Sequence, residues 1–334
     1  MTAPSPAGQR GTLRIATRRS PLALWQANDV GARLQAAVPG IEIELVATDT
    51  KADLDLTKTI DQIGGKGAFS KEIQQLVVAG AADIAVHSAK DLQAETPAGL
   101  VIGAFCERGT SSDCLVGARL ADLPAGAVVA TGSARRRALL LDTRPDLRVV
   151  GLRGNIATRL ARLHRPASLE AAPDGVIAAI VMATVALERL GTTPDVVDVL
   201  DPELFIPQVG QGALAVECRS DDRAAIDALA SIDHEPTRIT VGAERAFLAE
   251  LGGDCDMPAG ANAQLGSDGK LTIRGILAGS APADGPLAES PVEGPGLCRS
   301  EVVELPVADP GRILASRLLG AVGSDTDRTD AERS

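Results

Sequence analysis

From Leu13 to Leu190, short apolar runs of strand length alternate with stretches of helical period, and this alternation constrains the fold more than any other feature. Leu13 to Thr17 is a strand. Ser20-Pro21 then opens a helix, with Ser as N-cap and Pro at the first helical position, where a missing N–H costs nothing. Ile41 to Val46 alternates apolar and acidic residues, as a half-buried strand does. Thr48 to Ala68 is polar and glycine-bearing and predicts a long loop; Ser70 to Ala81 predicts a helix and Asp83 to His87 a buried strand.

The pattern resumes after Ser112. Strands are expected at Val128–Ala130, Arg148–Gly151 and Val176–Ala179, and helices at Ser133–Leu141, Asn155–Leu163 and Thr184–Leu190. Such alternation implies α/β domains with doubly wound parallel sheets. Ala213 to Cys218 is a strand able to return to the first sheet. From Pro236 the grammar changes to a helix reaching Leu251, strands near Ala259–Gln264, Leu271–Ala278 and Cys298–Leu305, and a helix from Pro310 to Val322. The expected organisation is one α/β domain over 12–106 and 212–230, a second over 112–206, and a small C-terminal α+β domain over 235–322. The polar tail, 323–334, is expected to be disordered. Two α/β lobes of this kind bind ligands outside the strand ends.

Composition narrows the function. A net charge of -11 argues against general nucleic-acid binding, which carries a basic footprint. Aromatics are 1% of the chain with no Tyr, so the cores must be built from Ala, Val, Leu and Ile. The first ten residues contain no apolar stretch that would act as a secretory signal. The longest apolar run, Val176 to Leu187, is too short to span a bilayer and fits a buried strand entering a helix. Cys106, Cys114, Cys218, Cys255 and Cys298 lack metal-ligand spacing and suggest free thiols in a reducing, cytoplasmic setting.

The arginines carry the first chemical signal. Ser133-Ala134-Arg135-Arg136-Arg137 puts cations in the first turn of a helix, the wrong sign for its dipole. Arg153-Gly154-Asn155 with Arg159 repeats the arrangement, and Arg18 precedes the Ser20-Pro21 cap in the same way. Helix N-termini flanked by arginines suit a ligand with several carboxylates or phosphates; the alternative is solvated surface charge. Gly64-Gly65-Lys66-Gly67 fails the P-loop pattern, because no Ser or Thr follows Lys66, and fits a glycine-rich loop over a cleft. Val209-Gly210-Gln211-Gly212 is a tight inter-domain connection. His87-Ser88-Ala89-Lys90-Asp91 follows a buried strand, where α/β active sites lie; the plainer alternative is an Asp that only caps the next segment. Cys255 stands at the apex of a glycine-bearing turn, but Asp254 and Asp256 should raise its thiol pKa, so its surroundings alone do not mark it as a nucleophile.

Taken in order, RIATRRSPLALWQ (Arg14–Gln26), GGKGAFSKEI (Gly64–Ile73), DIAVHSAKD (Asp83–Asp91), TGSARRRA (Thr131–Ala138), LRGNIATRL (Leu152–Leu160), VGQGALAVECR (Val209–Arg219) and GGDCDMPAGA (Gly252–Ala261) resemble the hydroxymethylbilane synthase (porphobilinogen deaminase) family. The resemblance runs from about Leu13 to Val322. It implies two periplasmic-binding-protein-like domains and a third that carries a dipyrromethane cofactor, joined by a thioether to Cys255. It implies a transferase of porphyrin and heme biosynthesis that condenses four porphobilinogen molecules head to tail, with loss of ammonia, and releases hydroxymethylbilane by hydrolysis. Residues matching Ser133, Arg135, Arg136, Arg159 and Lys90 hold the cofactor's carboxylates in that family. Those matching Arg18, Ser20, Arg153, Arg159 and Arg189 serve the substrate; Asp91 matches the catalytic carboxylate, and Lys66 belongs to the active-site loop. The expected enzyme is a monomer that needs no metal, nucleic acid or membrane.

Two positions depart from the family pattern. Gly132 replaces a common hydroxy residue, and Asp254 stands where Gly usually precedes the Cys. Two rival readings remain on the residues alone. A solute-binding protein would call for an export signal and leave Cys255 without a task, and the sensing part of a transcription regulator would call for a basic helix-turn-helix segment. An inactive family member is a further alternative, against which Asp91, Cys255 and the arginines are intact.

Overall fold

The computed structural model describes residues 11–50, 70–165, 176–252, 258–278, 298–305, 311–312, 314–316 and 318. The expected loop over Thr48–Ala68 with Lys66, the turn holding Cys255, and the tail 323–334 lie largely or wholly outside these residues. By compactness the chain forms two units, 1–108 with 213–238, and 109–212 with 239–334.

The first unit is built on a five-stranded sheet in the order β2-β1-β3-β10-β4, from β1 (Thr12–Arg18), β2 (Glu42–Thr48), β3 (Ile84–Ser88), β4 (Leu100–Phe105) and β10 (Leu214–Arg219). β1 is parallel to β2 and β3, while β10 runs antiparallel to both β3 and β4. The return of 213–218 to the first sheet is therefore borne out, and it supplies the one strand of reversed direction. Period-two patterning puts Leu13, Ile15, Ile84 and Val86 on one face, under α1 (Pro21–Ala37) and α6 (Arg223–Ala230). Ala16 and Ala85 face the other way, against Ile73 and Val77 of α2 (Lys71–Val78).

The second unit repeats the plan. Its sheet order is β7-β6-β8-β5-β9, from β5 (Asp113–Val116), β6 (Val128–Ala130), β7 (Arg148–Val150), β8 (Ile177–Ala183) and β9 (Val197–Val199). β6 is parallel to β7 and β8, and β5 is the reversed strand, antiparallel to β8 and β9. In each sheet the reversed strand occupies the fourth place, so the two sheets share one topology. α3 (Ala134–Thr143) covers one face through Leu139 and Leu140; α4 (Ile156–Leu160) and α5 (Thr184–Leu190) cover the other through Ile156, Leu160 and Leu187.

A separate antiparallel sheet, β11 (Ala259–Leu265), β12 (Leu271–Ala278) and β13 (Cys298–Leu305), forms the small C-terminal part. Helix α7 (Glu235–Glu250) leads into it, and the described residues between 311 and 318 are helical. Gly275 lets the sheet approach these helices: a Cβ there would lie 2.7 Å from Leu314 and 3.2 Å from Phe247. Ile276 joins Phe205 and Ile206 in the core of the second sheet, which anchors the C-terminal part within its own unit.

Candidate active site

In the first unit, Arg18 ends β1 and Ser20 caps α1, its Oγ accepting from Ala23 N at 3.3 Å. β3 ends at Ser88 and passes into a single 3-10 turn, Ala89–Asp91. Because β1 and β3 are parallel neighbours, both segments emerge at the same C-terminal sheet edge. Arg18, Ser20, Lys90 and Asp91 are half-buried there. The Asp91 carboxylate makes no hydrogen bond or ion pair among the described residues, so it caps nothing in them. His87, by contrast, is buried in the sheet. Its Nε2 lies 3.1 Å from Glu217 Oε2, close but off the line of a hydrogen bond, and Glu217 also accepts from Gln74 Nε2 at 2.9 Å. His87 is a packed polar residue.

In the second unit, Ser133 caps α3 by accepting from Arg136 N at 3.4 Å. The cations that follow are not solvated. Arg135 and Arg136 are 2% and 6% exposed, and Asp113, 0% exposed, binds both. Burial alone would push Asp113 up. The two guanidiniums, with hydrogen bonds from Arg136 and Gln211, outweigh burial and hold it well below the usual carboxylate range. Burial is the larger influence on Arg135 and pulls its pKa down against the attraction of Asp113. Asp113 thus explains how two arginines tolerate a helix start that disfavours cations. Sequence reasoning missed it because an acid at the head of an apolar run resembles a cap.

The next anion-type turn lies beside this one. β6 and β7 are parallel neighbours, so Thr131–Arg136 and Leu152–Arg159 leave the same sheet edge. A Cβ on Gly132 would stand 2.6 Å from Leu152 O, so a side chain here would force the two turns apart. The departure at Gly132 accordingly marks a close backbone approach. Asn155 caps α4 by accepting from Thr158 N at 2.9 Å, and Arg159 Nε donates to Gly154 O at 2.7 Å. Arg189 stands apart at the last turn of α5, donating to Gly212 O at 2.7 Å.

Two arginine donors in this unit are buried without a hydrogen-bond acceptor among the described residues, Arg135 Nε and Arg153 Nη1. Buried donors seldom stay unpaired, so the pair fits a ligand rich in carboxylates. Strand β11, which begins four residues after Cys255 in the chain, runs against the first of them. A Cβ on Gly260 of β11 would lie 2.8 Å from Arg135 Cδ and 2.5 Å from Pro207 O. Gly260→Ala is therefore expected to cost about 1–3 kcal/mol as the backbone is pushed off Arg135; thermal unfolding checks this, and an unchanged midpoint would contradict the close packing.

Glu244, also missed, is buried on α7 and accepts from Gly210 N at 2.7 Å and Ala263 N at 2.8 Å, tying the Val209–Gly212 segment to β11. Its signal was legible: a charge within the buried stripe Val241, Phe247 and Leu248. Cys106, Cys114 and Cys218 are buried free thiols, and burial pushes Cys114 and Cys218 each up to about 11, leaving them inert at neutral pH. No metal-binding cluster occurs among the described residues, and no described helix is long and apolar enough to cross a membrane.

Comparison with known proteins agrees with this picture. The family described as porphobilinogen deaminase, dipyromethane cofactor binding domain, matches residues 13–227, and the porphobilinogen deaminase C-terminal domain matches 238–282. Porphobilinogen deaminase of Nitratidesulfovibrio vulgaris (strain DSM 19637 / Miyazaki F) is 45% identical over 269 residues, covering 80% of this chain and 82% of the relative. The protein of the same name from strain DP4 is 45% identical over 270 residues, covering 80% and 83%. Among solved structures, the methionine binding protein MetQ aligns over 69% of this chain and 93% of its own at 14% identity and a TM-score of 0.39, a likeness too loose to bear on function.

Proposed function

This chain belongs to the porphobilinogen deaminase family of transferases, and from that premise we propose how its own residues carry out the reaction. Four porphobilinogen molecules condense head to tail with loss of ammonia, and hydrolysis then releases the linear hydroxymethylbilane. A dipyrromethane primer on Cys255, joined by a thioether, supplies the free pyrrole α-carbon to which units add.

Asp91 is the catalytic carboxylate. Loss of ammonia leaves the substrate an electron-poor methylene-pyrrole cation, and a carboxylate beside the pyrrole N–H stabilises that charge. The same group takes up the proton lost when the new carbon–carbon bond is made. Its lack of a partner among the described residues leaves it available for both tasks. Ser133, Arg135, Arg159 and Lys90 hold the primer's acetate and propionate groups, and Arg136, matched to the same cofactor-binding role, serves it from the same buried cluster. Arg18, Ser20, Arg153, Arg159 and Arg189 serve the incoming substrate, and Lys66 belongs to the loop over the site.

The observation that carries this reading is the pair of buried arginine donors without acceptors, Arg135 Nε and Arg153 Nη1, in a chain whose net charge is -11. Such local cationic sites, set against the global sign, call for a polycarboxylate ligand. We propose further that residues 235–322 act as a cofactor-bearing domain and that the enzyme is a cytoplasmic monomer. The three buried free thiols suit a reducing compartment.

The test is incubation with porphobilinogen, following its consumption together with uroporphyrin formed after acid oxidation. The expected result is loss of substrate matched by tetrapyrrole. Binding of porphobilinogen without turnover would instead favour an inactive member of the family.

A further inference from the structure

Asp113, at the first position of β5, divides its two oxygens between neighbouring guanidiniums. Oδ2 accepts from Arg135 Nη2 at 2.7 Å. Oδ1 accepts from Arg136 Nη2 at 2.7 Å, from Arg136 Nε at 3.1 Å and from Gln211 Nε2 at 2.8 Å. Arg136 Nη1 donates to Val181 O at 3.4 Å, so every nitrogen of Arg136 has an acceptor. Arg135 is less committed. Its Nη1 donates to Ile206 O at 2.6 Å and its Nη2 to Asp113, while Nε has no acceptor among the described residues. Two arginines adjacent in sequence thus have unequal capacity for a further anion.

Position sharpens the difference. Gly260, on β11 and five residues after Cys255 in the chain, packs on Arg135. Gln211, from the Val209–Gly212 segment, is fully buried and also donates to Ser111 O at 2.7 Å. The Asp113 carboxylate therefore anchors Arg135 and Arg136 to the two chain segments that enter and leave this unit. Two cations against one anion leave the cluster with a net positive charge at the start of α3, where a second carboxylate would be stabilised.

We infer that Asp113 is a positioning residue for primer binding: it fixes the Arg135 guanidinium so that its Nε edge is left for a primer carboxylate, and Arg136 acts mainly through Asp113. This rests on the reading that the primer hangs from Cys255 and is held by Arg135. Removing the Asp113 charge frees both guanidiniums to re-pair, and the aimed donor is lost. A purely structural role would cost stability and leave primer content to follow stability alone.

The experiment measures, by intact mass, the primed fraction of purified protein, with circular dichroism and thermal unfolding on the same samples. Asp113→Asn should lower the primed fraction roughly tenfold or more, the loss of one charge-assisted contact. Arg136→Met leaves Asp113 paired with Arg135 and should lower it by only about threefold. Asp113→Asn combined with Arg136→Met restores the charge balance of the cluster. This double variant should recover stability without recovering primer, and it keeps the test open if Asp113→Asn alone does not fold. A double variant that folds and is primed like the parent overturns the inference, because Asp113 would then serve stability only. Equal primer loss in folded Arg136→Met and Asp113→Asn also overturns it, because Arg136 would then be a ligand in its own right. Arg135→Met separates the underlying reading. A fully primed Arg135→Met protein refutes Arg135 as a primer ligand, whereas an unprimed one beside primed Asp113→Asn refutes Asp113 alone.

Discussion

Asp91→Asn is expected to lower kcat by on the order of a hundredfold or more, while KM for porphobilinogen stays within about threefold of the parent value. The substitution keeps the shape of the side chain and one acceptor oxygen but removes the negative charge. That charge matters most when the pyrrole is cationic and little in the ground state, so the loss falls on kcat. The arginines proposed to hold the substrate's acids are untouched. Asp91 has no partner to abandon among the described residues, so the variant should unfold at nearly the same temperature as the parent. Steady-state kinetics on mass-checked protein decide the matter. Near-normal turnover, or a defect confined to KM, would show that another group carries the chemistry.

The fold was legible wherever a segment declares itself locally. Ser20, Ser133 and Asn155 sit at the expected helix starts and cap them as side-chain acceptors. Val128–Ala130, Leu271–Ala278 and Cys298–Leu305 are strands within the expected bounds. Segments were missed where the local signal fails. Leu100–Phe105 is apolar without alternation and is interrupted by Gly103, whose absent side chain makes room for Leu229 of α6; a Cβ there would fall 2.5 Å from Leu229 Cδ1. Val197–Val199 is too short to register as a strand, and α6 escaped notice altogether. The reversal of β5 and β10 follows from pairing between distant segments, which no local period encodes.

The candidate site divides in the same way. Arg135 and Arg136 were conspicuous as charges of the wrong sign at a helix start. Asp113, which makes their burial tolerable, lies 22 positions before Arg135 in the chain, and only the fold brings it there. Gln211 looked like part of a tight connection and proves to be a buried member of the arginine cluster. Glu217 and Glu244 could have been found, since each is an acid set among residues that the pattern buries. Asp91 needed the resemblance to distinguish it from a cap, and the structure then left it without a segment to cap.

Cys255→Ala should abolish the covalent primer and lower activity on the order of a hundredfold or more, because the chain then has no nucleophile on which to build. The other thiols offer no substitute where they are described: Cys106, Cys114 and Cys218 are buried, and the last two are held as neutral thiols by burial. The central claim is that the enzyme works on a primer attached at Cys255, and intact mass spectrometry of the parent and of Cys255→Ala tests it most directly. The account predicts a parent heavier than its sequence by one dipyrromethane and a folded Ala variant at its bare sequence mass. An active parent at the bare sequence mass, or an Ala variant that keeps the excess, would contradict it.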